Sequence, residues 1–273
     1  MSKKLLFIGG GNMTQAIVGG LIDNGYSANS IFVVDRNSEK CQLLQQQYQV
    51  HVNEKITVFL DEVDTVILAI KPQAAEAVCA TLRPQLRERK LLIISIMAGL
   101  NLASLAKGLG EHLAIIRAMP NTPALVQEGA TGFFGNVHVS EAELLEAENI
   151  FSAIGIAAKL KSESDLDTVT ALSGSGPAYY FYFMASMQDA AIQMGLDPET
   201  AKSFAIQTAY GAAKLARDSD VSVAELGRRV TSKKGTTEAA LNTLQAKNLD
   251  EILASAMQAA VSRARELAKL NSL

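Results

Sequence analysis

The sequence predicts an α/β fold, in which a parallel-sheet domain is followed by an all-helical domain. In the first half of the chain, short runs rich in β-branched residues alternate with helical patterns, as strands joined by crossover helices do. After about Glu163 these runs stop, and alanine-rich helical segments continue to the end. The 273 residues, 48% of them apolar, are enough for two packed domains. We therefore predict one domain over 1–162 and a second over 163–273.

Seven strands are predicted in the first domain, and apolar residues at helical spacing indicate helices between them. The first helix is predicted over 13–23, where Gly25 then ends it, and another over 73–82. The predicted strands span 4–9, 31–35, 65–70, 91–96, 114–118, 130–134 and 156–159.

Two helices of the second domain are predicted to start at a proline. One covers 177–194, because proline suits a first helical turn and Gly195 suits a helix C-terminus. Asp197 and Pro198 are typical of the N-cap and the first residue of the next helix. Further helices are predicted over 237–245 and 250–270.

The helical segment 201–216 is apolar over a wide arc of its surface. Such a helix needs several apolar neighbours, and a helical domain of this size supplies few. We therefore expect the segment to pack against a second subunit, in a homodimer or a higher homo-oligomer. The alternative is a self-contained helical bundle.

Composition and charge argue against several classes of protein. With 25 Lys and Arg against 28 Asp and Glu, no basic excess predicts binding to nucleic acid or to an anionic membrane. Cys41 and Cys79 lack metal-ligand spacing and favour a reducing compartment, with both side chains buried. The apolar runs at 5–8 and 91–100 are too short for a signal sequence or a membrane span. We expect a cytoplasmic protein with a small-molecule substrate and no metal.

A glycine triplet separates the first predicted strand from the first predicted helix. Gly9 permits a tight turn, Gly10 follows it, and Gly11 lets the backbone approach a phosphate group. Asn12 and Met13 open the helix, whose N-terminus presents free N–H groups to an anion. The position of the triplet predicts a dinucleotide pyrophosphate site in a Rossmann-type domain. The alternative interpretation is an ordinary strand-to-helix turn.

The third glycine of the usual G-x-G-x-x-G pattern is absent. Thr14 occupies its place, so the bare pattern fails. Ala16 is the next small residue, and we expect it to allow the close packing of helix on strand.

The end of the second predicted strand carries opposing signals for cofactor choice. Asp35 lies where a carboxylate binds a ribose 2′-hydroxyl, which favours NAD(H). Arg36, beside Asn37 and Ser38, suits a 2′-phosphate, which favours NADP(H). A third interpretation makes Arg36 a solvated surface residue. Our hypothesis is that NADP(H) is preferred, with NAD(H) as the alternative cofactor.

Three further segments resemble pyrroline-5-carboxylate reductases. They are RAMPNTP at 117–123, SGSGPAY at 173–179 and VTSKKGTTEAAL at 230–241. With 9–13 and 69–72, the resemblance covers nearly the whole chain in the expected order. It implies a Rossmann domain followed by a helical dimerisation domain. It also implies that the protein reduces Δ1-pyrroline-5-carboxylate to L-proline, the final step of proline biosynthesis, with hydride from NAD(P)H.

The chain departs from the family at one point. Lys233 and Lys234 stand where the family usually has Pro-Gly before the last glycine of its signature. This places the geometry of the loop in question. It also adds two positive charges near the expected carboxylate site, which favours anion attraction.

The segment that follows opens a predicted helix and has the features of an anion site. Backbone N–H groups and threonine hydroxyls at a helix start bind anions. The resemblance assigns substrate binding to this segment, although a threonine there also serves as a simple helix cap. The predicted substrate-binding residues are Ser232, Gly235, Thr236 and Thr237.

Reduction of a cyclic imine needs a hydride donor, a protonated nitrogen and a hold on the substrate carboxylate. The protein orients the reactants, and the reaction requires no metal. By resemblance, Thr170 lies near the imine nitrogen and Asp220 is a second candidate to position or protonate it. Thr237 completes the predicted catalytic set. The three histidines lie outside the matched motifs and are expected to be non-catalytic.

The remaining predicted cofactor contacts follow strand ends, where open α/β sheets bind ligands. Lys71 has the alternative of a solvated loop residue. For Asn53 and Asn121 the resemblance implies the cofactor contact, and without it both would be turn residues. These contacts are Asn53, Ala69, Lys71, Pro72, Met97, Ala98 and Asn121.

Two other functions remain open at this point. A hydroxyacid dehydrogenase of similar architecture would call on a catalytic lysine in its helical domain, but Lys202 and Lys214 have no motif around them. A non-catalytic NADPH-sensing scaffold would keep the fold without the activity. The polar residues of the cofactor loop and of 235–237 argue against it.

Overall fold

A computed structural model describes residues 3–271. Its centre is an eight-stranded sheet with the order β3-β2-β1-β4-β5-β6-β7-β8. The first six strands in this order, from β3 to β6, are mutually parallel. β7 runs antiparallel to β6, and β8 runs parallel to β7. The strands are β1 Leu5–Ile8, β2 Ile31–Val34, β3 His51–Asn53, β4 Thr65–Leu68, β5 Leu92–Ser95, β6 Ala114–Met119, β7 Gly129–Gly135 and β8 Gly155–Lys159.

Helices cover both faces of the sheet. Along β1, Leu5 and Phe7 enter one hydrophobic core, while Leu6 and Ile8 enter the other. All four side chains are buried, because a parallel sheet is covered on both faces. The helices of this part are α1 Asn12–Asp23, α2 Ser38–Tyr48, α3 Ala75–Leu86, α4 Leu102–Leu109, α5 Glu141–Ser152 and α6 Asp165–Val169.

All seven predicted strands are present, and an eighth was not predicted. β3 has three residues, with His51 exposed, so it carries too few apolar side chains to be found from a pattern. The antiparallel direction of β7 also departs from the predicted parallel sheet. The first helix ends at Asp23, and Gly25 adopts φ +84°, as predicted. Cys41 and Cys79 are buried free thiols, which confirms that expectation.

The chain forms two compact units. The first contains the chain up to Ser175 and again from Ala259, and the second is Gly176–Gln258. The boundary between 162 and 163 remains a prediction from composition. The remaining helices are α7 Gly176–Gln193, α8 Pro198–Arg217, α9 Val223–Arg229, α10 Thr236–Ala246 and α11 Leu249–Leu270.

The caps predicted for the helical segments are confirmed. Gly195 has φ +96° after α7. Asp197 is the N-cap of α8, and its carboxylate accepts a hydrogen bond from the backbone N–H of Thr200 at 3.0 Å. α9 was not predicted, since its seven residues are too few for a clear helical period. In the part of the chain that the structure describes, no helix is long and apolar enough to span a membrane.

The end of α11 belongs to the first unit. Val261 is buried, and Arg265 Nε lies 3.2 Å from Asp167 Oδ2. Leu267 packs so closely on the turn after β5 that a Cβ added to Gly99 would lie 3.1 Å from Leu267 Cβ. Gly99 also has φ +72°, so this position requires glycine for two reasons.

Candidate active site

The carboxyl ends of six parallel strands meet at one edge of the sheet, and the residues predicted to bind cofactor lie there. The strand order reverses at β1, between β2 and β4. In open α/β sheets this reversal forms the crevice that binds a dinucleotide. The predicted residues are Gly9, Gly10, Gly11, Asn12 and Met13 after β1; Asp35, Arg36 and Asn37 after β2; Asn53 ending β3; Ala69, Lys71 and Pro72 after β4; Met97 and Ala98 after β5; and Asn121 after β6.

The turn after β1 requires glycine at its first position. Gly9 has φ +107°, and an added Cβ would lie 2.4 Å from the carbonyl oxygen of Ala69. The N–H of Gly9 donates to the carbonyl of Val34 at 2.8 Å, which ties the turn to β2. Thr14 is buried, and its hydroxyl donates to the Gly9 carbonyl at 2.5 Å. The threonine in the place of the third glycine therefore stabilises the turn, a role that the sequence did not reveal.

The first turn of α1 is open to an anion. Gly11 is the N-cap and has no side chain, and no side chain in the described residues caps this helix. A Cβ added to Gly11 would meet no atom within 4 Å, so there is free space in front of the helix. The first N–H groups of a helix have no internal partner, and the helix dipole favours negative charge there. These features fit a pyrophosphate group.

Asp35 links the glycine turn to the loop after β2. Its Oδ2 accepts the N–H of Gly10 at 2.7 Å, and its Oδ1 accepts the N–H of Asn37 at 2.9 Å. Lys40 Nζ lies 3.9 Å from Oδ2. Both carboxylate oxygens therefore have backbone partners within the protein. This structural role was not among the predicted roles of Asp35.

Arg36 differs from its neighbour, because its side chain is exposed and forms no ion pair within residues 3–271. An exposed guanidinium without a carboxylate partner fits a phosphate group. Nearby Asn53 accepts the N–H of Lys55 through Oδ1 at 2.9 Å. Asn37 caps α2 by accepting the N–H of Lys40 at 3.1 Å.

The strand ends after β4 and β5 present mainly backbone. Lys71 and Ala98 are exposed, whereas the side chain of Met97 is buried in the second core. The N–H of Met97 lies 3.3 Å from the hydroxyl oxygen of Ser95. Met97 thus has only its main chain available to a ligand at this edge.

Asn121 holds the end of β6 against the segment that contains Thr170. Its Nδ2 donates to the carbonyl of Ser173 at 2.9 Å, and its Oδ1 accepts the N–H of Ala130 at 2.8 Å. The range Thr170–Gly174 is a π-helical turn, closed by a 2.8 Å bond from the N–H of Ser175 to the carbonyl of Thr170. Such turns occur often at functional sites.

Thr170 therefore lies near the edge of the sheet where the residues predicted to bind cofactor are found. Its hydroxyl donates to the carbonyl of Leu166 at 2.7 Å, which leaves the oxygen lone pairs available. A Cβ added to Gly174 would lie 2.9 Å from Met119 Cε, so this segment packs on the end of β6.

The predicted substrate residues lie together at the start of α10. Gly235 is the N-cap, and Thr236 and Thr237 are the first two helical residues. No side chain in the described part of the chain caps this helix, so its first N–H groups are available to an anion. Ser232 joins them through a tight turn, in which the N–H of Gly235 donates to its carbonyl at 3.0 Å.

Asp220 is the second predicted catalytic residue, besides Thr237, in the unit Gly176–Gln258. It is exposed in the loop between α8 and α9. Within residues 3–271, no group of three or more His, Cys, Asp and Glu side chains has a metal-binding arrangement.

Comparison with known proteins places the chain in a family. A model of pyrroline-5-carboxylate reductase dimerisation matches residues 163–267, and one of coenzyme F420-dependent NADP oxidoreductases matches 4–99. The pyrroline-5-carboxylate reductase of Pseudomonas aeruginosa is 44% identical over 268 residues, which cover 98% of both chains. The chain belongs to the pyrroline-5-carboxylate reductase family. The enzyme of Pasteurella multocida is 42% identical over 98% of this chain and 99% of its own length.

Solved structures of the family share the fold. The pyrroline-5-carboxylate reductase of Coxiella burnetii superposes with a TM-score of 0.94 at 42% identity, over 98% of this chain and 99% of its own. The pyrroline carboxylate reductase of Plasmodium falciparum, solved with NADP bound, gives a TM-score of 0.84 at 29% identity over 98% of both chains. Rossmann-type and helical parts therefore follow each other here as in these relatives.

Proposed function

We propose that the protein reduces Δ1-pyrroline-5-carboxylate to L-proline with hydride from NADPH, the final step of proline biosynthesis. The observation that carries this proposal is similarity to curated pyrroline-5-carboxylate reductases along 98% of the chain. The open N-termini of α1 and α10 support it, because the cofactor and the substrate are both anions.

The first unit binds the cofactor at its strand ends. Gly9 and Gly10 form the turn, the backbone N–H groups of Gly11, Asn12 and Met13 hold the pyrophosphate, and Arg36 pairs with the 2′-phosphate. Asp35, Asn37 and Asn53 surround the adenosine. The NADP bound to the Plasmodium falciparum relative supports this choice of cofactor, and NAD(H) is the alternative. The nicotinamide lies beside Ala69, Lys71, Pro72, Met97, Ala98 and Asn121.

The second unit binds the substrate carboxylate at the start of α10, through Ser232, Gly235, Thr236 and Thr237. When bound, NADPH supplies the hydride that the imine carbon receives, while the nitrogen carries a proton. Thr170 and Asp220 are the residues assigned to hold the nitrogen or its proton. The protein thus acts by orientation and by charge placement.

The active form is a homodimer or a higher homo-oligomer, and the subunits associate through the helical domain at 163–273. The match of the dimerisation model to 163–267 supports both this role and this boundary. Aromatic residues of α7 are exposed in the single chain, including Tyr180 at 69% and Tyr182 at 77%. Contiguous exposed apolar side chains mark an interaction surface. We place the enzyme in the cytoplasm, a reducing compartment in which the two buried free thiols are stable.

Loss of nicotinamide absorbance on mixing the protein, NADPH and pyrroline-5-carboxylate tests this function. We expect turnover that depends on all three components, with proline as the product. A protein that binds NADPH without turnover would instead be a sensing scaffold. Turnover of a hydroxyacid but not of the imine would assign it to the dehydrogenases.

A further inference from the structure

The turn that precedes α10 holds a lysine in an unfavourable backbone conformation. Ser232 and Gly235 close this turn through a 3.0 Å backbone hydrogen bond. Lys234, its third residue, has φ +59°. A residue with a Cβ adopts this left-handed region at a free-energy cost, whereas glycine does not. Another interaction must therefore favour the observed turn.

Glu238 provides that interaction. Its Oε2 accepts the backbone N–H of Lys234 at 2.7 Å. Glu238 is the third residue of α10 and is half-buried, so its carboxylate lies beside the turn. A charged acceptor forms a stronger hydrogen bond than a neutral one, and negative charge is favoured in the first turn of a helix.

The shape of this turn determines what the start of α10 presents to a ligand. Gly235 lies so close to Ser232 that an added Cβ would be 2.3 Å from Ser232 Oγ. A different conformation at Lys234 would move Ser232 away from the N–H groups of Thr236 and Thr237. These groups are the proposed holders of the substrate carboxylate.

We propose that Glu238 is a positioning residue for the substrate: it binds the N–H of Lys234 and thereby fixes the turn that places Ser232 beside the start of α10. This inference rests on the proposed function. Glu238 acts through the turn and not on the substrate itself. Its loss should therefore weaken binding of pyrroline-5-carboxylate without weakening binding of NADPH.

Steady-state kinetics of four variants test the proposal: Glu238→Ala, Glu238→Gln, Lys234→Gly, and Glu238→Ala combined with Lys234→Gly. We expect Glu238→Ala to raise KM for pyrroline-5-carboxylate by roughly five- to tenfold, with KM for NADPH within about twofold of wild type. Glu238→Gln keeps an oxygen acceptor and should recover most of the loss. With glycine at 234, which adopts the turn unaided, Glu238→Ala should raise KM by less than about twofold.

Two controls separate the turn from charge and from folding. Lys233→Gln measures the effect of charge alone, because it removes one neighbouring positive charge but leaves the N–H of Lys234 and its positive φ unchanged. Thermal unfolding shows that each variant is folded, and Glu238→Asp, which shortens the reach, replaces Glu238→Ala if the alanine variant does not fold.

Two results would overturn the inference. One is a wild-type KM for the imine in Glu238→Ala, and the other is an equal rise in KM with glycine at 234. Either result with an active wild-type enzyme contradicts this inference alone. A wild-type protein that does not turn over pyrroline-5-carboxylate contradicts the proposed function, and this inference with it.

Discussion

Two adjacent residues after β2, both predicted to bind the cofactor, have different surroundings in the folded chain. Asp35 has both oxygens bonded to backbone N–H groups, of Gly10 and Asn37, so it connects two loops. Arg36 is exposed and has no carboxylate partner in the described residues. The sequence placed both beside the adenosine, but only the hydrogen bonds distinguish the residue that fixes the loops from the one that remains available to the ligand.

Arg36→Ala should therefore change the preference between the two cofactors. We expect KM for NADPH to rise by roughly tenfold, because a charge-assisted pair with phosphate is worth about 1.5–3 kcal/mol. KM for NADH should stay nearly unchanged. Arg83→Ala, at an exposed arginine of α3, is the matched control. Equal changes in KM for both cofactors would show that Arg36 does not recognise the 2′-phosphate.

Asp35→Asn should weaken binding of NADPH and NADH to a similar extent. An amide oxygen replaces only one of the two carboxylate acceptors, so one backbone N–H loses its partner. We expect KM to rise for NADPH and NADH by similar factors, and the free energy of unfolding to fall by about 1–3 kcal/mol. Kinetics and denaturant unfolding measure the two effects. A loss confined to NADH would instead make Asp35 a ribose ligand.

The thiol of Cys79 should be chemically inert in the folded protein. Burial raises its pKa to about 11, and the thiolate is the reactive form. At pH 8 the group is therefore protonated as well as inaccessible. Cys41 is also buried, and burial raises its pKa. A disulfide reagent should label neither thiol in native protein and both in guanidinium chloride; rapid labelling of native protein would contradict the burial of these side chains.

At the scale of the elements, periodicity and caps predicted most of the fold. Most of the seven predicted strands are buried apolar runs, such as Leu5–Ile8, although β8 is mostly exposed. A run of this kind does not specify direction, so the antiparallel pairing of β7 with β6 was missed. His51–Asn53 was missed because a short edge strand buries little.

The glycine turn after β1 was predictable because the conformation of a tight turn depends on which positions are glycine. The hydrogen bonds of Thr14, Asn121 and Glu238 were not, since each joins a side chain to a backbone group whose position only the folded chain defines. The substitution of Pro-Gly by Lys233-Lys234 made the turn geometry uncertain. The structure keeps a positive φ at Lys234.

The start of α10 should bind the substrate partly through the hydroxyl of Thr237. Thr237→Val keeps the shape of the side chain and removes the hydroxyl, so binding of pyrroline-5-carboxylate should weaken by about 1–3 kcal/mol. Binding of NADPH should not change, because the residues proposed to hold the pyrophosphate, Gly9 to Met13, belong to the first unit. Thr243→Val, on an exposed face of the same helix, is the control. Wild-type kinetic constants in folded Thr237→Val would give the hydroxyl a purely structural role.

At the scale of the whole molecule, the helical domain carries apolar surface that the single chain leaves exposed. On α8, Phe204 is 64% exposed and Tyr210 is 58% exposed. The family model that matches this region describes dimerisation. We therefore expect the wide apolar arc of 201–216 to be buried against another subunit.

A charge on this surface should disrupt the oligomer. Phe204→Asp replaces an exposed apolar side chain of this surface with a carboxylate, whose burial against another subunit is costly. We expect monomers by light scattering and a large loss of activity. Gln85→Asp, at an exposed position of α3 in the first unit, adds the same charge and should remain oligomeric. A fully active monomer would separate assembly from catalysis.

The return of the chain to the first unit at Ala259 has a consequence for protein synthesis. Leu267 covers the turn at Gly99, and Arg265 pairs with Asp167, so the last helix completes a structure begun at the first strand. Domains fold as units while the chain emerges from the ribosome, N-terminal segments first. The first unit is therefore completed only after the segment that begins at Ala259 has been synthesised. A nascent chain that has not yet reached this segment leaves the turn at Gly99 uncovered.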